Sequence, residues 1–140
     1  MKEERILAID YGLKRVGIAI TDPLKMFASP LITLKNDDRF WINLLKLFSD
    51  YEVCEVVLGY PLRENGEKSH ITDDVIEFKN ELEKKISQQV VFVDERYSSS
   101  IAKERVIASV VSKKKRRDKG IIDKNAAAVI LEEYLREKLL

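Results

Sequence analysis

Three short stretches of this 140-residue chain set carboxylates at the edges of apolar segments. They are Asp10 in I-L-A-I-D-Y-G, Asp94 and Glu95 in V-V-F-V-D-E-R, and Asp123 in K-G-I-I-D-K-N-A-A-A. A carboxylate beside a run of apolar residues is costly to bury unless something positive pairs with it. Three such stations on different elements suggest one shared cation site. Hard divalent ions such as Mg2+ or Mn2+ prefer oxygen ligands, so aspartate and glutamate suffice without histidine or cysteine. Two such ions about 4 Å apart activate water and neutralise charge on a phosphate and its leaving oxygen, the needs of phosphodiester hydrolysis.

Each acid also has a plain structural reading, and the residues alone leave both readings open. Asp10 fits an acid that opens a hairpin turn and is satisfied by nearby amides. The glycine two residues later would leave room for a ligand beside it. Asp94 and Glu95 are adjacent, so a continuing strand points them to opposite faces and only one readily joins a site. The longer reach of Glu95 favours it, against the alternative of a charged strand end that meets solvent. Asp123 shares a helix face with Ala126, Ala127 and Ile130, whose alanines let the helix lie close to a sheet. The competing reading is an N-cap or first-turn acid favoured by the helix dipole.

Cations stand near these acids. Residues 113–119 read K-K-K-R-R-D-K, supplying Lys113, Lys114, Lys115, Arg116, Arg117 and Lys119. Such a run repels itself and reads as a loop. Because it adjoins Asp123 we favour a phosphate-contacting arm over a merely solvated segment, with binding that weakens steeply in salt. Lys14, Arg15 and Arg96 are further candidates for backbone contacts. Ser98 and Ser99 could offer hydroxyls to phosphate but fit better as helix caps. His70 stands alone in a polar loop, where an exposed histidine is a safer reading than a general acid. Tyr60 and Tyr97 flank strand ends and suit base stacking or ordinary packing equally.

The elements that must position these groups follow from hydrophobic period. Ile6 to Ile9 are continuously apolar, as in a central strand covered on both faces. Val16, Ile18 and Ile20 alternate, and the short Y-G-L-K-R between the two runs predicts an antiparallel hairpin, with Gly12 supplying the turn conformation. A third strand is expected around Leu31 to Leu34. Phe40, Trp41, Leu44, Leu45 and Phe48 recur at helical spacing after Asn36, Asp37 and Asp38, which are candidate caps. Val53 to Leu58 is a strand stopped by G-Y-P. Ile71, Val75, Phe78, Leu82 and Ile86 mark a second helix, and Val90 to Val93 a short strand. A third helix carries Ile101, Val106 and Ile107, and a last one runs from about Ile122 to Lys138. The order predicts a mixed five-stranded α/β sheet, an antiparallel hairpin followed by parallel crossover units, flanked by helices.

Composition sets the outer bounds. A chain of this length, 45% hydrophobic and 35% charged, fits one globular domain spanning residues 1–140. The net charge of +1 makes the distribution of charge, rather than its sum, the feature relevant to a polyanionic partner. Cys54 is the only cysteine, which excludes an internal disulfide and a cysteine zinc site, and V-C-E-V-V-L reads as a buried strand position. No apolar run approaches the roughly 20 residues of a membrane span. The opening M-K-E-E-R-I-L lacks the pattern of a signal peptide, so the cytoplasm is the expected location.

Four segments together resemble the YqgF/RuvX family, described both as Holliday junction resolvase-like proteins and as pre-16S rRNA processing nucleases. They are D-Y-G-L-K-R-V-G-I-A at 10–19, V-V-L-G-Y-P-L at 56–62, V-D-E-R-Y-S-S at 93–99 and K-G-I-I-D-K-N-A-A-A-V-I-L at 119–131. The resemblance covers nearly the whole chain. It implies a ribonuclease H-like fold and divalent-metal-dependent cleavage of structured nucleic acid, with Asp10, Glu95 and Asp123 as the metal-binding acids. The expected substrate is precursor small-subunit rRNA, met free or in ribosomal precursor particles, with branched DNA as the alternative. The chain is expected to act as a monomer or homodimer. A threonine pair usual after D-E-R in the family is here Ser98-Ser99. Many ribonuclease H-like enzymes carry an acid just after the fourth strand, where this chain has Gly59, Tyr60 and Pro61. That departure shifts the expected second ligand to Glu95, and the Gly-Tyr-Pro turn to a role in clearing space for substrate. A non-catalytic nucleic-acid-binding factor with the same fold is the rival reading. The D-Y-G-L-K segment also resembles the phosphate loop of actin-like ATPases, which need two such domains.

Overall fold

The computed structural model describes residues 3–95, 98–109 and 118–138. Strands β1 (Arg5–Asp10), β2 (Arg15–Thr21) and β3 (Ala28–Lys35) are followed by helix α1 (Phe40–Asp50) and strand β4 (Val53–Tyr60). Helix α2 (Thr72–Lys85), strand β5 (Gln89–Asp94), helix α3 (Ser98–Ser109) and helix α4 (Lys119–Lys138) complete the order. The sheet order is β3-β2-β1-β4-β5. Strands β1, β2 and β3 pair antiparallel, while β1–β4 and β4–β5 are parallel. This is the ribonuclease H-like α/β arrangement, with the continuously apolar β1 at its centre. Among the described residues no helix is long and apolar enough to cross a membrane.

Strand alternation divides the core into two layers. Leu7 and Ile9 of β1 face α1 and α2 with Phe40, Leu44, Val75, Phe78 and Leu82, and Tyr11 stacks on Phe78 at 4.4 Å between ring centroids. Ile6 and Ala8 face the opposite way and pack against Ala127, Ala128, Ile130 and Leu131 of α4. Helix α3 packs on α4 through Ala102, Ala126 and Val129 and through an Arg105–Glu132 ion pair at 2.8 Å. The α4-facing layer sets Ala8 and Ala19 of the sheet against Ala127 and Ala128 of the helix, with Ile6, Ile130 and Leu131 filling around them.

Glycine makes the closest approach. A Cβ on Gly17 would fall 2.9 Å from the Lys124 nitrogen and closer still to the Asp123 carbonyl. Only a residue without a side chain lets α4 rest on β2 there.

Several local expectations are corrected. Gly12 does not have a positive φ; among described glycines only Gly66 does. Glycine is needed at 12 because a Cβ would sit 2.5 Å from the Arg15 carbonyl oxygen, so that space holds backbone, not a ligand. Asn36 does not cap α1 but donates its side-chain amide to the Gly12 carbonyl at 2.9 Å, tying β3 to the β1–β2 turn. The N-cap of α1 is Arg39, without a side-chain cap bond. Strand β3 starts at Ala28, ahead of Pro30, because an edge strand tolerates proline where register shifts, here opposite Ala19. Ile101 is exposed, and α3 buries Ala102 alongside the expected Val106. Cys54 is partly buried, its thiol donating to the Arg5 carbonyl at 3.4 Å.

Candidate active site

The parallel strands β1 and β5 end at the same edge of the sheet, and alternation decides which of their acids meet. Asp10 continues the Ile6–Ala8 face of β1 toward α4. Val91 and Val93 occupy that same face of β5, so Glu95, two residues on, points to it as well. Asp94 follows Val90 and Phe92 on the other face and is exposed. The Glu95 amide donates to the Tyr60 carbonyl at 3.3 Å, extending the β4–β5 register by one residue. Glu95, not Asp94, therefore reaches Asp10, and the two carboxyl side chains are hydrogen-bonded.

Burial, and secondarily the charge of Asp123, push Asp10 from its ordinary 3.8 up to about 6, against the lowering effect of its bond with Glu95. Burial, the Asp10 charge and the Asp10 hydrogen bond together push Glu95 well above its ordinary 4.5. Two carboxyls packed this closely ionise together less readily than either would alone. Gly59 of β4 makes the room. A Cβ there would lie 2.8 Å from Glu95 Cδ and 2.8 Å from Ile130 Cδ1. The glycine of the Gly-Tyr-Pro turn thus clears space for the Glu95 carboxylate, and Tyr60 packs edge-on against Phe92 at 4.9 Å. Hard oxygen donors, withdrawn from water and held in a cradle that a methyl would fill, fit a divalent cation.

Asp123 does not close the set. Its Oδ2 accepts a 2.7 Å bond from Arg15 Nε, and among the described residues no three His, Cys, Asp or Glu side chains stand together as a metal cluster. Partly exposed at both ends (36% and 25%), that ion pair contributes no more than about 1 kcal/mol. Asp123 is also not a capping acid. Helix α4 starts at Lys119, and Asp118 Oδ1 accepts the Gly120 amide at 2.8 Å, the bond of an N-cap. Asp123 sits one turn further in, held over β2 by the close approach at Gly17.

Of the candidate cations, Lys14 and Lys119 are exposed. Arg15, Lys119 and Asp123 line one open pocket together with Ile122 and Lys103. Lys103 was missed by sequence reasoning. Its only signal is a lysine five residues after the start of α3, on a helix whose side toward α4 is apolar. Arg96, Tyr97, Lys113, Lys114, Lys115, Arg116 and Arg117 lie outside the described residues. His70 is exposed in the loop before α2.

Comparison with known proteins places this arrangement. A Phocaeicola vulgatus protein provisionally named a pre-16S rRNA nuclease is 37% identical over 135 residues, covering 96% of each chain. A Christiangramia forsetii protein of the same name is 40% identical, covering 95% of this chain and 98% of its own. Among solved structures, T. thermophilus RuvC in complex with a Holliday junction substrate superposes with a TM-score of 0.59 at 14% identity. The match covers 97% of this chain and 96% of that one. Fowlpox virus resolvase with its junction DNA gives 0.58 at 14% identity, covering 97% and 99%. At that identity the likeness concerns the fold. Residues 4–137 match the family model described as RuvX, Holliday junction resolvase, and this chain belongs to that family.

Proposed function

We propose that this chain, as one nuclease domain over residues 1–140, is a divalent-cation-dependent endonuclease of structured nucleic acid. Its substrate is the 5′ end of precursor 16S rRNA. The observation that carries the reading is the Asp10–Glu95 pair, two half-buried carboxyls hydrogen-bonded to each other over the Gly59 cradle. The relatives' names favour rRNA; the family's description makes branched DNA the second substrate to test.

Asp10 and Glu95 would hold Mg2+ or Mn2+, with Asp123 joining from α4 to make room for two ions. Bound there, the ions supply an activated water and neutralise charge on the departing oxygen. Asp10 gives the site its fixed point, because β1 is hydrogen-bonded on both sides. Glu95, held by its hydrogen bond to Asp10, would release its proton to solvent water as it takes up its charged form. Lys14, Arg15, Arg96, Lys119 and the cations from Lys113 to Arg117 hold the phosphate backbone electrostatically. A cytoplasmic setting and action on ribosomal precursor particles, as monomer or homodimer, belong to the same proposal.

The test is incubation of the purified chain with precursor rRNA and with a synthetic four-way junction, each in Mn2+ and in chelator. Asp10→Asn is expected to abolish Mn2+-dependent cleavage while binding persists. Full activity in that variant would refute the assignment. Tight binding with no cleavage under any divalent ion would instead support the non-catalytic binding factor.

A further inference from the structure

The Arg15–Asp123 pair joins a candidate metal ligand to a candidate phosphate contact, and each partner is needed elsewhere. Arg15 Nε holds Asp123 Oδ2 at 2.7 Å and so keeps that carboxylate engaged with β2. The pocket around the pair is lined by Arg15, Lys103, Lys119, Ile122 and Asp123. Among these described residues it sets three cations against one carboxylate and opens to solvent. That composition suits a dianionic or bridging phosphate group, which takes two guanidinium N–H groups side by side.

We propose that a nucleic-acid phosphate docks between Arg15, Lys103 and Lys119 and displaces Asp123 from Arg15. The freed carboxylate then turns toward the Asp10–Glu95 pair. The proposal rests on the metal-holding reading of that pair. Three forces favour the exchange. The phosphate offers Arg15 a better-matched partner than a single carboxylate oxygen. It repels Asp123 within the same pocket. A cation at Asp10 and Glu95 attracts the carboxylate that is released. The α4 backbone stays put, since it rests on Gly17, so only side-chain torsions change. Arg15 is thereby a positioning residue that keeps the ligand set open until substrate phosphate arrives.

Coupling of this kind is reciprocal and is read in two binding experiments without turnover. The first is Mn2+ calorimetry on the full chain and on Arg15→Gln, Asp123→Asn and the double variant, with no nucleic acid present. Arg15→Gln is expected to tighten Mn2+ by at least about fivefold, and the gain should vanish in the double variant. A merely electrostatic gain would survive there. Asp123→Asn alone should change Mn2+ affinity little, because Asp123 is not yet a ligand. The second is binding of an RNA hairpin in chelator. Asp123→Asn should tighten it only while Arg15 is present, and Lys103→Gln and Lys119→Gln should each weaken it. An Asp123→Asn variant that by itself loses most Mn2+ affinity, beside an Arg15→Gln variant that gains none, overturns the exchange. Mn2+ binding with no Arg15–Asp123 coupling sinks the exchange alone. Absence of Mn2+ binding in every version sinks the metal reading as well.

Discussion

Replacing Gly59 by alanine tests the site without touching any of its charges. The new methyl carbon would lie 2.8 Å from Glu95 Cδ and 2.8 Å from Ile130 Cδ1, well inside van der Waals contact. Both neighbours are ends of flexible side chains, so each yields by rotation rather than by backbone shift. Overpacking of this kind costs about 1–3 kcal/mol, and the softness of the neighbours argues for the lower end. Part of it is offset, since alanine for glycine at an ordinary φ restricts the unfolded chain by about 0.4–1 kcal/mol. Swinging Glu95 away from Asp10 also relieves repulsion between two carboxyls. Thermal unfolding in chelator should therefore move by no more than about 4 °C. Mn2+ binding should suffer far more, by at least about tenfold, because one of its two nearest carboxylates has been levered out of place. Calorimetry and a thermal melt on one preparation read both quantities. Wild-type Mn2+ affinity in Gly59→Ala would refute the cradle. A collapse of stability by several kcal/mol would show that Gly59 serves packing rather than the site.

Gly17→Ala should behave in the opposite way. Its Cβ would meet the Asp123 carbonyl and the Lys124 nitrogen of α4, which cannot rotate aside, so a loss of about 3 kcal/mol or more is expected in the melt. In chelator, Asp10 at about 6 lies above its unfolded value, as does Glu95. Protonation therefore favours the native state, and this stabilisation is present at low pH and lost as pH rises through about 6. The stability of Asp10→Asn relative to wild type should grow by on the order of 3 kcal/mol between about pH 4 and pH 7.5. A flat difference across that range would contradict the upward shift at Asp10. Changing Lys113, Lys114, Lys115, Arg116 and Arg117 to glutamine should lower the salt dependence of RNA binding by about 0.7–0.9 for each phosphate that is no longer neutralised. An unchanged slope removes that run from recognition.

The strand and helix order is legible in the sequence because both kinds of element show their own hydrophobic period. Val57 and Val93, and Val75, Phe78 and Leu82, fall where alternation and helical spacing put them. The choice of Glu95 over Asp94 was also legible through parity. Ile6, Ala8 and Asp10 form one series, and Val91, Val93 and Glu95 another, joined by the alanines of α4. Reach was the weaker argument. The start of α4 was hidden because its cap, Asp118, sits inside a run of cations that reads as loop. The Arg15–Asp123 bond was not legible at all. It joins residues 108 apart in the chain, and no local pattern at either end reports the other. The same holds for the glycines: sequence shows a missing side chain, and only the packed structure shows which neighbour occupies the space.

Those glycines explain how a small fold can hold like charges together. Packing carboxylates on soft elements would let repulsion push them apart, leaving no standing demand for a cation. Here the strand pairing of β1, the Gly59 gap beneath Glu95 and the backbone of α4 resting on Gly17 each fix one acid by main-chain geometry. The repulsion cannot then be relieved by moving strands or helices. It is eased by the hydrogen bond between Asp10 and Glu95 and by Arg15 at Asp123. Under the proposed exchange both give way to cations: a divalent ion takes its place at Asp10 and Glu95, and Asp123 turns to it once a phosphate has drawn Arg15 away. On the proposed reading, the rigidity of the scaffold and the readiness of the site to take up ions and substrate have the same physical origin.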